Sequence, residues 1–160
     1  MDNLVLFGFK SCGKTTLGKR LAKKLARHFI DTDWLIEALY AKEQGEQRRC
    51  REIALQWGEK TFRLLEKRVI HVLTVQNAVI AVGGGAVLDE ENCQKLRALG
   101  TLLYVPCPKE VLKSRLLRPP LPSFLDPQDP EGSFERVYDE RLACYEKIEA
   151  MRIDGLSCSE

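Results

Sequence analysis

The chain has 160 residues, enough for one domain with its own core, and 44% hydrophobic with 30% charged residues are proportions of a soluble globular protein. A net charge of +2 is too small to point to nucleic acid or an anionic membrane, and no apolar run approaches the roughly 20 residues of a membrane span. None of the six cysteines (Cys12, Cys50, Cys93, Cys107, Cys144, Cys158) forms a C-x-x-C pair, and no histidine lies at metal-ligand spacing, so free thiols in a monomeric cytoplasmic protein are expected.

Residues 1–8 read as a short buried strand around Leu4-Val5-Leu6-Phe7 rather than as a leader. Gly8-Phe9-Lys10-Ser11-Cys12-Gly13-Lys14-Thr15 follows at once and fits G-x-x-x-x-G-K-[ST] in full. Residues 15–27 then read as a helix, with Leu17, Leu21 and Leu25 on one stripe. Strand, glycine loop and helix are the context in which this pattern is a phosphate cradle. Gly8 and Gly13 let the backbone turn and approach an anion with no Cβ in the way. The N–H groups from Lys10, Ser11 and Cys12 through Thr16 at the helix start then face the phosphates of ATP. Lys14 reaches the β- and γ-phosphates, and the Thr15 hydroxyl ligates Mg²⁺.

His28 reads as a helix C-terminal residue, and Phe29-Ile30 as a short strand leading into Asp31-Thr32-Asp33. One of these carboxylates can hold Mg²⁺ while the other accepts a hydrogen bond from an attacking hydroxyl; Asp33 could equally be only the N-cap of the next helix. Helices are expected over 34–41, over 47–57, and over 59–75 with Phe62, Leu65, Val69 and Val72 at core spacing. The basic clusters at 19–27 and 47–51 read as solvated faces, His71 as helix surface, and Arg63 with Glu66 as an exposed i,i+3 ion pair. A strand over 78–82 ends in Gly83-Gly84-Gly85, whose closely spaced N–H groups can approach a small ligand. A helix over 89–98 is closed by Gly100, a strand covers 101–105, and Pro108 starts a helix to about 117.

Residues 118–132 hold five of the seven prolines and read as the one long loop, with Arg118 at its root as a mobile arginine able to close on phosphates. A helix over 134–150 and a possible strand over 151–153 follow. Strands alternating with helices imply a parallel sheet covered on both faces, with ligands at the carboxyl ends of the strands. The glycine loop, the Asp pair and the triple glycine should therefore meet at one sheet edge.

In combination and order, the glycine loop at 8–15, Asp-x-Asp at 31–33, Gly-Glu-x-x-Phe-Arg-x-x-Glu at 58–66, Gly-Gly-Gly at 83–85, Arg-Pro at 118–119 and Arg141 before Tyr145 resemble shikimate kinase. The resemblance implies a single three-layer P-loop kinase domain over 1–160, a parallel sheet of about five strands flanked by helices. It also implies a substrate-binding segment at about 31–62 and a mobile lid at about 116–133. The implied reaction is transfer of phosphate from ATP, with Mg²⁺, to the 3-hydroxyl of shikimate in the chorismate pathway. Asp33 is then the base and hydroxyl ligand, Asp31 the outer-shell partner of Mg²⁺, and Arg63 with Arg141 the carboxylate pair, joined by N–H groups near Gly83, Gly84 and Gly85. Arg118 is the lid arginine, and Arg152 a candidate for stacking on adenine. Two departures stand out: Arg115 lies only three residues before Arg118, with Pro120-Leu121-Pro122 after it, and the chain ends six residues beyond Asp154 where relatives continue. Gluconate kinase or a nucleoside monophosphate kinase shares the glycine loop without the rest of this set. A non-catalytic nucleotide-binding module is the reading from another class; it leaves Asp33 without a purpose.

Overall fold

An apolar run buried on both faces belongs in the middle of a parallel sheet, and Leu4–Phe7 takes that place. The computed structural model describes residues 2–154. The strands are β1 (Asn3–Phe7), β2 (His28–Asp31), β3 (Ala78–Ala81), β4 (Gly100–Tyr104) and β5 (Met151–Arg152). They form one sheet in the order β2-β3-β1-β4-β5, every pairing parallel. Leu4 is registered with Val79 on one side and Thr101 on the other. The crossovers are α1 (Lys14–Leu25); α2 (Thr32–Gln44), α3 (Cys50–Trp57) and α4 (Glu59–His71); α5 (Glu90–Leu99); then α6 (Lys109–Leu116) and α7 (Pro130–Lys147). The expected parallel sheet flanked by helices is the observed fold.

Two hydrophobic cores hold it. The larger packs the sheet against its helices, with Val5, Leu6, Phe7, Ile80 and Leu112 among its fully buried side chains. The smaller joins α2, α3 and α4 through Ile36, Tyr40, Ile53, Phe62, Leu65 and Val69.

Several local expectations are corrected. Leu25, at the end of α1, is 44% exposed, because the helix stops there with Ala26 in a left-handed cap. Val72 is 74% exposed at the C-cap of α4, and Ile70 and Leu73 are buried near it instead. His28 opens β2 rather than closing a helix. Pro108 is the N-cap of α6, not its first helical residue. The proline segment is shorter than read: Asp129 caps α7 by accepting from the Gly132 amide, and Pro130 begins that helix. Five described cysteines are free thiols; Cys158 and the chain end after Asp154 lie outside the described residues.

At the amino ends of the strands, Asn3 is buried and fully engaged. Its Nδ2 donates to the carbonyls of Val75 and Leu99 at 2.7 and 2.9 Å, and its Oδ1 accepts from the Ala78 amide at 2.9 Å. Gly100 lies so close that a Cβ there would sit 2.1 Å from the Asn3 carbonyl oxygen. Gly100→Ala should therefore destabilise the fold by about 1–3 kcal/mol through a backbone clash at the far end of the sheet from the glycine loop. Urea denaturation measures the loss, and the KM values of the remaining folded enzyme should not move.

Candidate active site

The glycine loop leaves β1 at Gly8, where φ is +147° and a Cβ would meet the Val105 carbonyl oxygen at 2.6 Å. Gly13, at φ +96°, delivers the chain into α1, whose N-terminus has no capping side chain and no acidic residue in its first turn. Its free N–H groups and positive dipole end are thus available to an anion. Lys14 is buried and its Nζ donates to the Gly8 and Phe9 carbonyls at 2.8 and 2.7 Å, within the loop itself. Arg115 of α6 braces the loop from outside, donating to the Ser11 carbonyl at 2.7 Å.

Asp31, at the end of β2, does two tasks. Its Oδ1 accepts from the Asp33 amide at 2.9 Å, and its Oδ2 accepts from the Thr15 hydroxyl at 3.0 Å. Asp31 is therefore the N-cap of α2, and the Asp33 carboxylate is left free to face the cavity. Burial, and next the charge of Asp31, pushes the Asp33 carboxyl above the usual aspartate value; Lys14 and Lys10 oppose that rise.

The three glycines after β3 owe their identity to close packing, since none has φ in the left-handed region. A Cβ on Gly83 would stand 2.9 Å from Glu66 Oε2 and 3.1 Å from Asp33 Oδ1. On Gly84 it would meet the Lys10 amide nitrogen at 3.0 Å and Arg141 Nη1 at 3.3 Å, and on Gly85 the Arg63 guanidinium at 2.2 Å. The turn is thus the seam where Asp33, both arginines and the glycine loop converge.

The two arginines are held differently. Arg63 is clamped by Glu59 and Glu66, each at 2.7 Å. Glu66 is 1% exposed, its Oε2 has no hydrogen-bond partner among the described residues, and burial raises its pKa against the pull of Arg63. The pair is no solvated surface bridge, contrary to the expectation from spacing. Arg141 is buried on α7 without any hydrogen bond or ion pair among the described residues; its guanidinium lies 4.4 Å from the centre of the Phe124 ring. One turn on, the Tyr145 hydroxyl donates to the Gly84 carbonyl, which fixes α7 against the turn.

Lys14, Thr15, Asp31, Asp33, Arg63, Arg141 and the three glycines line one cavity of about 390 Å³. The shikimate kinase family model matches residues 10–159. The chain belongs to the shikimate kinase family. A shikimate kinase of Thermodesulfovibrio yellowstonii is 34% identical over 162 residues, covering 100% of this chain and 90% of the relative. That of Caldanaerobacter subterraneus is 37% identical over 146 residues, covering 91% and 82%. The solved shikimate kinase of Acinetobacter baumannii in complex with shikimate superposes with a TM-score of 0.80 at 29% identity, over 96% of this chain and 83% of that one.

For this member of the shikimate kinase family, the cavity gathers most of the residues singled out in the sequence. Gly8 and Cys12 are buried in the loop behind the cavity wall. Arg118 is exposed and outside the wall, so contact with phosphates would require the segment around it to shift. Arg152 also lies outside, 5.4 Å above the Tyr104 ring and 3.7 Å from Glu146. Wall residues that sequence reasoning passed over are Cys50, Arg51, Ala54, Ser123 and Phe124. The Cys50 thiol donates to the Asp33 carbonyl at 3.4 Å, and burial pushes its pKa up.

Mg²⁺ prefers a few hard oxygen ligands and keeps waters and phosphate oxygens in its shell. The Thr15 hydroxyl and the Asp31 carboxylate, 3.0 Å apart at the N-terminus of α1, fit that demand. No group of three or more His, Cys, Asp or Glu able to cage a metal occurs among the described residues.

Proposed function

We propose that the chain is an ATP-dependent kinase that phosphorylates the 3-hydroxyl of shikimate, giving shikimate 3-phosphate and ADP. The observation that carries this reading is Arg141. A buried guanidinium without a protein carboxylate invites an anionic partner, and a second guanidinium, Arg63, lines the same cavity. Two planar forks suit the carboxylate of an acidic polyol and leave a neutral sugar unmatched. Asp33 lines the cavity with them, between Lys14 and the glycine turn, where it can accept the proton of the attacking hydroxyl. Lys14 and the first turn of α1 hold the transferring phosphate. Mg²⁺, held by Thr15 and the Asp31 carboxylate, directly or through water, would neutralise charge on the phosphate oxygens. The segment 31–62 is assigned to the acceptor.

ADP release measured with shikimate and with gluconate, followed by mass analysis of the product, tests the reading. Turnover with shikimate and a monophosphorylated product is expected; no ADP release above background with shikimate would reject it.

The two arginines should separate in their effects. Arg63→Ala and Arg141→Ala should each weaken shikimate binding roughly 10–100-fold, the value of one charge-assisted hydrogen bond, with ATP affinity unchanged. Arg63→Ala should also lower the melting temperature further than Arg141→Ala, because it strips buried Glu66 of the one side-chain hydrogen-bond partner it has among the described residues. Calorimetric titration of each variant with each ligand decides, and equal losses for ATP and shikimate would remove that arginine from the carboxylate site.

A further inference from the structure

Arg51 stands in the first turn of α3, within a basic run that composition reads as a solvated face. The structure turns it inward. Its Nε donates to the Leu121 carbonyl at 2.5 Å, across 70 residues of chain, and its side chain lines the same cavity as Asp33. It forms no other hydrogen bond or ion pair among the described residues.

Leu121 belongs to the proline segment between α6 and α7. Ser123 and Phe124 of that segment also line the cavity, and Pro122 and Leu125 are buried. The segment is therefore gripped by arginines at two points. Arg141 of α7 holds the Phe124 ring, and Arg51 of α3 holds the Leu121 carbonyl. Neither grip involves the glycine loop.

We propose that Arg51 is a positioning residue: by bonding Leu121 it ties α3 to the proline segment, so that the cover over the cavity is drawn closed from the acceptor side. This rests on the reading of the cavity as a kinase site whose acceptor is held by α2, α3 and α4. Cys50 and Ala54, neighbours of Arg51 on α3, form part of the cavity wall, so a displacement of α3 by the acceptor is carried directly to the Leu121 bond. Without Arg51 the segment loses its tie to α3 and keeps the Arg141–Phe124 contact and the burial of Pro122 and Leu125. Acceptor retention should then fall, and water should reach the phosphates more readily.

The test uses Arg51→Ala in the full chain. Amide hydrogen exchange at Leu121, Ser123, Phe124 and Leu125 should quicken roughly tenfold, the loss expected for one charge-assisted hydrogen bond, while exchange in β1 stays the same. KM for shikimate should rise by a similar factor, KM for ATP should change less than about twofold, and ATP hydrolysis without acceptor should increase. Arg51→Lys, which restores a donor on a long side chain, should recover at least half of the protection and of the KM. Unchanged exchange at the four amides overturns the proposal. So does an equal rise in both KM values, or a lysine variant no better than alanine. The exchange measurement needs no turnover. A wild-type chain that fails to phosphorylate shikimate would therefore reject the proposed function, and the tie between α3 and the segment would still be decided.

Discussion

Asp33→Asn should lower turnover with shikimate by roughly 10²–10⁴-fold while ATP binding and the melting temperature stay near those of the parent. The cap of α2 is Asp31, which accepts from the Asp33 amide, so the Asp33 side chain carries no capping bond to lose. The pH profile gives a second, independent check. Burial and then the neighbouring Asp31 raise the Asp33 pKa above the ordinary 3.8. A general base must be deprotonated, so kcat/KM should fall as pH drops through that raised value, above pH 3.8 rather than at it. The asparagine variant should lack this acidic limb. A variant that unfolds more easily yet keeps its turnover would make Asp33 a structural residue.

Lys14→Met should reduce turnover by roughly 10²–10³-fold, the usual cost of removing a group that stabilises charge in the transition state. Here a loss of stability is expected as well. Lys14 Nζ bonds the Gly8 and Phe9 carbonyls inside a buried loop, and methionine satisfies neither. About 1 kcal/mol for each lost bond is the expected cost. Thermal unfolding read beside single-turnover rates separates the two effects, since the stability loss is far too small to explain the rate. Turnover near that of the parent would remove the glycine loop from the chemistry.

What the sequence makes legible is whatever depends on local order. The glycine loop is a contiguous motif, and its strand and helix lie on either side. Asp31, Asp33 and Gly83-Gly84-Gly85 each follow a strand, and parallel topology alone brings strand ends together. What stays hidden depends on distance across the fold. Arg51 reads as a surface charge because nothing in a basic run says which member turns inward toward a carbonyl 70 residues away. Glu66 reads as half of a surface pair because a charged residue at i+3 from an arginine suggests a solvated bridge, although its spacing from Phe62, Val69 and Ile70 places it on the buried face of α4. The reason for three consecutive glycines is also tertiary: each contacts a different side chain of the site, while their own dihedrals would suit other residues. The start of α7 was, by contrast, available. Asp129-Pro130 is an N-cap followed by proline at the first helical position, but reading the prolines together as one loop hides that boundary.

The strand order carries a consequence for the chain's synthesis. β1 is made first, yet its neighbours are β3 and β4, with Leu4 registered against Val79 and Thr101. At roughly 5–20 residues per second, about 5–20 s separate the emergence of the glycine loop from that of its second flanking strand. Until β3 emerges, Val5, Leu6 and Phe7 have no neighbouring strand to pair with, and until the end of the interval the loop has no Val105 carbonyl against which Gly8 can close. The most recognisable motif of the chain is thus among the last parts to acquire its shape, and the nascent protein depends on whatever shields an apolar strand until its partners arrive.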